Sequence, residues 1–240
     1  RTHHADTHGP TIASGGVLTV GPQHASEMRM RPPLGPKRFI AVAGNIGAGK
    51  STLTRFLSTQ YGVKPFFEPN ESNPYLEDFY GDMKRWAFHS QLYFLSAKFR
   101  LHQNLALEEE PVIQDRTIYE DAEIFAENLY RQRKMSARDY QTYRSLYESI
   151  VQELKPPTLM IYLRSGLKTL RKRIRLRGSP EEQNMPRTYL PRLQELYDGW
   201  FERYDLSETL IIATDELDYL EDLVDRIDLF KRIEKALDIK

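Results

Sequence analysis

A glycine-rich segment that ends in lysine and serine is the clearest sign of chemistry in this sequence. It consists of Gly44, Asn45, Ile46, Gly47, Ala48, Gly49, Lys50 and Ser51, and it matches the spacing G-x-x-x-x-G-K-[S/T] in full. Glycine lets backbone amides approach phosphate oxygens closely, lysine adds a positive charge, and the serine hydroxyl can ligate magnesium. This segment, the phosphate loop, predicts binding of a nucleoside triphosphate without specifying the reaction. The alternative is a glycine-rich turn with an incidental lysine.

Charged residues also stand at the ends of two short apolar runs that we interpret as strands. Glu68 follows the run Val63–Phe67, and Asp115 and Arg116 end the run that begins with Val112. The carboxyl ends of parallel strands share one sheet edge, so these residues are expected near the phosphate loop. A glutamate there could accept a proton from an attacking hydroxyl, an aspartate could help to hold magnesium, and an arginine could offset negative charge or pair with the glutamate. The alternatives are a surface glutamate and a surface Asp–Arg pair.

A third charged group is the basic helix predicted over Gly166–Arg177. Arg173 and Arg177 are four residues apart and therefore share a helix face. Two guanidinium groups on a mobile segment could close as a lid over a transferring phosphoryl group. A solvated helix face and a nucleic-acid patch are the alternatives.

The elements that must position these residues alternate along the chain. Short apolar runs, which predict buried strands, are Phe39–Ala43, Val63–Phe67, the run at Val112, Leu159–Leu163 and Leu210–Ala213. Helical patterns between and after them are Ser51–Tyr61, a long one over Leu76–Glu109, one capped by Ser136, Gly166–Arg177, and a last one from Leu217 to Leu237. This alternation predicts an α/β, three-layer fold of the P-loop NTPase type, with a parallel sheet of about five strands, helices on both faces and an Arg-rich lid.

Composition and charge narrow the class of protein. The 240 residues include 34 Lys and Arg and 34 Asp and Glu, so the formal net charge is zero, which argues against a dedicated nucleic-acid binder. The absence of cysteine excludes disulfides, thiol catalysis and Cys-ligated metal centres. No apolar run is long enough for a membrane span, and we find no secretory-signal pattern. We therefore expect a cytoplasmic protein with no membrane or nucleic-acid partner.

The first 37 residues differ from the rest because they are rich in glycine and proline and poor in apolar residues. We interpret 1–37 as a flexible tail and 38–240 as a single phosphate-loop domain. His3, His4 and His8 in the tail are interpreted as solvated rather than metal-binding.

Taken together, the motifs resemble the deoxyribonucleoside kinase family, the phosphate-loop enzymes of nucleoside salvage. The resemblance runs from about Arg38 to the C-terminus, and it is greatest to the bacterial deoxyadenosine/deoxyguanosine and deoxyadenosine/deoxycytidine kinases. The motifs that carry it are, in order, the phosphate loop, Glu68-Pro69, Asn73-Pro74-Tyr75-Leu76, Trp86-Ala87-Phe88 with Gln91, Asp115-Arg116-Thr117, and Arg177-Gly178 with Glu181-Glu182-Gln183. The resemblance implies transfer of the γ-phosphate of ATP or another nucleoside triphosphate to the 5′-hydroxyl of a deoxyribonucleoside, with a purine favoured. It also implies magnesium dependence and a homodimer formed through long helices.

The resemblance further implies roles for individual residues. On the acceptor side, Glu68 resembles the general base, Gln91 the residue that reads the base edge, and Phe125 the ring that stacks on the base, while Tyr80 and Glu182 match residues that hold the sugar 3′-hydroxyl. On the donor side, the resemblance implies that the phosphate loop binds ATP together with Lys50 and Thr52. It places Arg116 near both the hydroxyl and the phosphates, and it matches Arg173 and Arg177 to arginines of the lid. Ser51 and Asp115 are implied as metal ligands. From the residues alone, Phe125 and Tyr80 could instead be core residues, and Gln91 could cap a local backbone group.

The chain departs from the family pattern at several positions. Lys98 stands where many animal relatives have arginine, with Asp121 as its expected partner, and this pair is expected to face the base and affect purine against pyrimidine choice. Ser179 replaces a further lid arginine, so lid contacts are expected to be fewer or supplied by Arg175. The tryptophan often found after Glu-Pro in the family is replaced near Asn73.

Two other functions remain as alternatives. A nucleoside monophosphate kinase of the thymidylate-kinase kind would need a cationic acceptor pocket and no general base, and Glu68-Pro69 and Gln91 argue against it. A nucleotide-binding switch without a small-molecule acceptor is the second, and the sequence has no Asn-Lys-x-Asp element of the GTPase kind.

Overall fold

Five short strands form one parallel sheet in the computed structural model, which describes residues 31, 34–67, 73–179, 182 and 185–239. The strands are β1 Phe39–Gly44, β2 Lys64–Phe66, β3 Val112–Asp115, β4 Leu159–Arg164 and β5 Glu208–Ala213. Their order across the sheet is β2-β3-β1-β4-β5. The predicted parallel α/β fold is confirmed.

Helices connect the strands and cover the sheet. They are α1 Lys50–Tyr61, α2 Leu76–Gly81, α3 Met83–Ala106, α4 Ile118–Glu120, α5 Glu127–Arg131, α6 Ala137–Val151, α7 Leu167–Arg177, α8 Tyr189–Phe201 and α9 Leu223–Ala236. Between α4 and α5 the chain forms a π-helical segment, Asp121–Ala126, so 118–131 is one irregular helical stretch. π-Helical turns are rare and occur frequently at functional sites.

The two faces of the sheet bury separate apolar cores. Ala41 and Ala43 of β1 point to a core that includes residues of α3, α6 and α8, whereas Ile40 and Val42 point to one that includes residues of α1, α7 and α9. This follows from the alternation of side chains along a strand. The helices therefore form layers on both faces, as the near-continuous apolar strands predict.

The strand register brings the predicted chemical residues to one edge. Val42 pairs with Asp115, Gly44 with Leu163, and Phe66 with Gln114. Because all strands are parallel, the end of β1 at the phosphate loop, the end of β3 at Asp115 and the end of β2 lie at the same side of the sheet.

The prediction of one long helix over Leu76–Glu109 is wrong, because the chain forms two helices there, α2 and α3. Asp82 has φ −142° and its side chain accepts a hydrogen bond from Arg85 N at 3.2 Å, so it ends α2 and caps α3. An aspartate at this position satisfies an orphan amide of the second helix.

The last helix is shorter than predicted, and two helical stretches, 118–131 and α8, were not predicted. Asp222 caps α9 by accepting hydrogen bonds from the backbone amides of Val224 and Asp225, so Leu217 and Leu220 precede the helix. Of the two unpredicted stretches, α8 has buried residues that recur at helical spacing. The cap predicted at Ser136 is confirmed, since its hydroxyl accepts from Asp139 N at 3.1 Å.

Two residues of the predicted tail contact α9 or the core around it. Leu34 is buried in the core beside α1 and α9, and the Arg31 guanidinium lies 4.1 Å from the centre of the Phe230 ring. The packed part of the chain thus begins before the predicted boundary at residue 38. Residues 1–30 and 32–33, and with them His3, His4 and His8, lie outside the described residues.

Among the residues that the structure describes, no helix has both the length and the apolar character needed to cross a bilayer.

A buried histidine makes the stability of this fold depend on pH. Burial lowers the pKa of His102 below its usual 6.5, although its Nε2 lies 3.0 Å from the Lys155 carbonyl oxygen. His102 therefore binds a proton more readily in the unfolded chain than in the folded protein. The free energy of unfolding is expected to fall as the pH decreases below about 6.5. One such proton contributes a slope of at most about 1.4 kcal/mol per pH unit.

Urea unfolding at pH 7.5, 6.5 and 5.5 measures this dependence. His102→Gln, which retains a donor for the Lys155 carbonyl, is expected to be less sensitive to pH over this range. His89→Gln is the matched control on the same helix, because His89 is exposed. Equal pH dependence of the His102→Gln variant and the parent protein would contradict the assignment.

Candidate active site

The phosphate loop links the middle strand of the sheet to α1. Gly47 has φ +82°, and a Cβ atom there would lie 2.9 Å from Ile174 Cγ1, so only glycine fits without displacement. The Lys50 ammonium donates hydrogen bonds to the carbonyl oxygens of Gly44 at 2.9 Å and Asn45 at 3.2 Å. The lysine therefore lies within the loop, where a triphosphate could take over its hydrogen bonds.

Asn45 is fixed by the protein rather than directed outwards. Its side chain is buried, its Nδ2 donates to the Leu190 carbonyl at 3.1 Å, and its Oδ1 accepts from Ile46 N at 2.8 Å. The side chain thus ties the phosphate loop to α8, and only its backbone remains for a phosphate contact. The motif alone does not reveal this role, because its x positions carry no requirement on the side chain.

Ser51 and Asp115, the predicted metal ligands, lie together. The Ser51 hydroxyl donates a hydrogen bond to Asp115 Oδ2, and the other carboxylate oxygen, Oδ1, is buried with no hydrogen-bond partner in the described part of the chain. Hydroxyl and carboxylate oxygens are the ligands that magnesium takes, usually with only one or two from protein carboxylates. Within the described residues, no three His, Asp or Glu side chains lie together in a group that could hold a metal ion. The pair therefore fits a magnesium ion that is also held by substrate phosphates.

Arg116 lies next to Asp115 in an unusual backbone conformation. Its φ is +61°, and its backbone N donates to the Val42 carbonyl at 3.0 Å. The guanidinium carbon lies 4.5 Å from the centre of the Phe125 ring, in the π-helical segment. A cation over an aromatic face is electrostatically favourable. The structure thus brings together two predicted site residues that are nine positions apart.

Gln91 and Lys98 lie two helical turns apart on α3, and both are buried. Gln91 Oε1 has no hydrogen-bond partner among the described residues. Lys98 is 0 % exposed, and its Nζ donates to Asp121 Oδ1 at 2.9 Å and to the Thr117 carbonyl at 3.4 Å. The predicted Lys98–Asp121 pair is therefore present. An unsatisfied buried amide oxygen is costly, which points to a ligand donor for Gln91.

Tyr80 and Glu182 have partners within the protein. Tyr80 is half-buried on α2, and its ring packs edge-on against Phe79 with centres 5.3 Å apart. Glu182 accepts a hydrogen bond from Arg177 Nε at 3.0 Å. One predicted sugar ligand and one predicted lid arginine are thus paired with each other. Residues 180–181 and 183–184 lie outside the described residues, so the lid stays a prediction.

Arg173 braces the phosphate loop from the side of β5. Its guanidinium donates to the Ala48 carbonyl at 3.0 Å, to Thr214 Oγ1 at 2.9 Å and to the Thr214 carbonyl at 2.8 Å. Arg173 and Arg177 both lie on α7, as the prediction of a shared helix face requires. The Arg173 guanidinium, however, is held by oxygen atoms of Ala48 and Thr214. Thr214 was not predicted as a functional residue, because nothing in its local sequence indicates that it receives an arginine from α7.

A cavity of about 660 Å³ opens beside the phosphate loop. It is lined by residues of the loop, Thr52, Arg173, Arg177 and the segment Thr214–Leu220. Asp215 at its rim accepts hydrogen bonds from the Thr169 hydroxyl and, at 2.9 Å, from Gly166 N, and the hydroxyl contact lowers the pKa of Asp215. The cavity is large enough for part of a nucleotide and continuous with the loop that would bind its phosphates.

Glu68, the predicted general base, lies outside the described residues. The chain is described up to Phe67, whose ring lies 4.7 Å from the Arg55 guanidinium. The expected proximity of the Glu68 carboxylate to the phosphate loop stays a prediction, supported by the position at which β2 ends.

The known proteins that this chain is similar to, in sequence and in structure, are deoxynucleoside kinases. Residues 40–238 match the deoxynucleoside kinase family. The deoxyadenosine/deoxycytidine kinase of Bacillus subtilis is 38% identical over 186 residues, which cover 77% of this chain and 86% of that protein. The deoxyguanosine kinase of Lactobacillus acidophilus is 39% identical over 196 residues, covering 78% and 85%. The structure of deoxyadenosine kinase from M. mycoides with bound dATP superposes with a TM-score of 0.70 at 33% identity, covering 82% of this chain and 99% of that one.

Proposed function

Since the chain belongs to the deoxynucleoside kinase family and so phosphorylates a deoxyribonucleoside with a nucleoside triphosphate, we propose that its preferred acceptor is a purine deoxyribonucleoside. Similar proteins named deoxyadenosine and deoxyguanosine kinases support this preference. The observation that carries the base site is the buried Gln91 amide, whose oxygen has no partner among the described residues, and the choice of a purine rests on the similar proteins. A base edge offers the complementary donor.

On the donor side, the phosphate loop and Lys50 bind the triphosphate, and the neighbouring cavity receives part of the rest of the nucleotide. Ser51 and Asp115 would hold magnesium, which would neutralise negative charge on the phosphate oxygens. Arg116 adds a fixed positive charge near the transferring phosphoryl group. Arg173 keeps the loop in place through Ala48, and Arg177 closes towards the phosphates.

On the acceptor side, Glu68 takes the proton of the 5′-hydroxyl as its oxygen attacks the γ-phosphorus. Phe125 stacks on the base, and Gln91 reads its edge. Tyr80 and Glu182 bind the 3′-hydroxyl, which requires Glu182 to share or release Arg177. The Lys98–Asp121 pair faces the base and affects the choice of base.

We also propose a cytoplasmic homodimer. The support for association is the face of α3 and α6, where Leu146 on α6 is 42% exposed although the two helices pack together. A second copy packed on this face would remove the exposed apolar surface of this leucine from water. The cytoplasmic location is supported by the absence of cysteine and by the supply of nucleoside triphosphates there.

A substrate panel tests the proposed function. The four deoxyribonucleosides and their 5′-monophosphates are assayed with ATP and magnesium, and kcat/KM is compared. We expect deoxyadenosine or deoxyguanosine to give the highest value and the monophosphates to be inert. A pyrimidine in first place would overturn the purine preference, and faster reaction of a monophosphate would favour a monophosphate kinase.

Gln91→Leu is expected to lower kcat/KM for the preferred deoxyribonucleoside by about 100-fold, because two hydrogen bonds to the base edge are lost and base donors are left unpaired. Steady-state assays with a varied deoxyribonucleoside concentration measure this. Gln103→Leu, on an exposed position of the same helix, is the control and is expected to change kcat/KM little. Equal kcat/KM for Gln91→Leu and the parent would remove Gln91 from the base site.

A further inference from the structure

The carboxyl group of Glu120 joins the phosphate loop to the residues that follow β3. Its Oε1 accepts hydrogen bonds from Gly44 N at 3.3 Å and from the Tyr197 hydroxyl at 2.8 Å. Its Oε2 accepts from the backbone N of Thr117 at 2.8 Å and from the Thr117 hydroxyl at 3.3 Å. The side chain is 0 % exposed, so it acts on groups of the protein rather than on a ligand.

The contacts of the Oε1 oxygen distinguish Glu120 from an ordinary helix-capping residue. Thr117 and Glu120 form a capping box at the start of α4, and Oε2 makes the cap contact with the Thr117 backbone. Oε1 takes no part in the cap contact with that backbone amide. It accepts from the first residue of the phosphate loop and lies 4.0 Å from Arg116 Nε. A carboxylate only accepts, so one side chain can gather donors from separate parts of the chain.

The backbone conformation of Arg116 is unfavourable, so its surroundings determine where the residue lies. Residues with a side chain rarely adopt φ near the +61° of Arg116, and such a conformation persists only when its surroundings hold it. The Phe125 ring lies against the guanidinium carbon at 4.5 Å. Glu120 supplies the negative charge on the Nε side, from a side chain that is itself tied to the phosphate loop and α8.

We infer that Glu120 is a positioning residue that fixes Arg116 relative to the phosphate loop. The inference rests on the proposed function, in which Arg116 stabilises negative charge on the transferring phosphoryl group. A displacement of about 1 Å in a reacting constellation lowers the rate by about 100-fold. Loss of the Glu120 carboxylate should therefore lower kcat more than it raises KM for ATP.

Glu120→Gln tests the inference, because it keeps the side-chain size and replaces one acceptor oxygen with a donor. At a temperature well below its Tm, we expect a kcat about 30- to 100-fold lower, with KM for ATP within about threefold of the parent. Tyr197→Phe is the matched control, since it removes one donor to the same oxygen and leaves the carboxylate in place. Its kcat is expected to stay within about threefold of the parent. Equal kcat for the two variants would overturn the inference.

A double-mutant cycle with Arg116→Lys separates positioning from general loosening of the fold. If Glu120 acts through Arg116, adding Glu120→Gln to Arg116→Lys lowers kcat by less than about threefold. Losses that multiply in the double variant would overturn the inference.

A second variant covers the case in which Glu120→Gln does not fold. Glu120→Asp retains the charge but withdraws it by one methylene, and its kcat is expected to be about 10-fold lower; an unchanged kcat would overturn the inference. The parent protein is assayed first on all four deoxyribonucleosides. No turnover by the parent would overturn the proposed function, whereas an active parent that is insensitive to Glu120 would overturn only the positioning role.

Discussion

Glu68→Gln is expected to lower kcat by about 10²- to 10⁴-fold, the range for loss of a general base. Glutamine has the size of glutamate but cannot accept the proton of the 5′-hydroxyl at neutral pH. The Kd for ATP should stay close to that of the parent, because the donor is bound by the phosphate loop at the end of β1. Steady-state turnover gives kcat, and titration with a fluorescent ATP analogue gives the Kd.

The position of β2 is the reason to expect Glu68 at the reacting centre. The last residue of β2, Phe66, pairs with Gln114, the neighbour of Asp115, and Glu68 follows two residues later. Glu77→Gln, on an exposed position of α2, is the control and should retain normal turnover. A near-normal kcat for Glu68→Gln would remove the proposed mechanism while leaving the family assignment intact.

Lys98→Met is expected to destabilise the protein by about 3–5 kcal/mol, because it removes the cation that faces a buried carboxylate. Lys98 is 0 % exposed and its ammonium lies 2.9 Å from Asp121 Oδ1, so water cannot replace the lost charge. The free energy of unfolding from urea titration measures the effect.

The control for this stability change lies on the same helix. Lys84→Met replaces an exposed lysine and is expected to change the free energy of unfolding by less than about 0.5 kcal/mol. A small effect of Lys98→Met, equal to that of Lys84→Met, would mean that the buried pair contributes little to stability.

The sheet and the phosphate loop were predictable because their signals are local. Phe39–Ala43 is a continuous apolar run ended by glycine, and the loop motif follows it directly. The shared edge at which β1 and β3 end, where Val42 pairs with Asp115, then follows from parallel strands. Short apolar runs and glycine spacing are the patterns that sequence carries most plainly.

The helix boundaries were less predictable because single polar residues decide them. Asp82 interrupts a region whose apolar residues continue on both sides, and periodicity alone does not show that its side chain caps α3. Helix α8 was missed although Leu193, Tyr197 and Trp200 recur at helical spacing. Pro191 lies in its first turn, where proline is tolerated because the amide there has no partner within the helix.

The partners of charged side chains were the hardest part to predict, because they come from distant parts of the chain. Spacing placed Arg173 and Arg177 on one face of α7, but Thr214 and Glu182 determine what each arginine contacts. The buried Glu120 carries a sequence signal in the T-x-x-E pattern with Thr117, yet that pattern predicts a cap and not the bond to Gly44.

The order of the strands has a consequence for how acceptor and donor chemistry can diverge in evolution. The strand that carries the ATP loop is third of five and has a neighbour on each side, whereas β2, which leads to Glu68, has only three residues and one neighbour. Mutations that remodel β2 disturb fewer contacts than mutations in β1. The strand that leads to the general base can therefore tolerate more change than the strand that carries the loop for the phosphate donor.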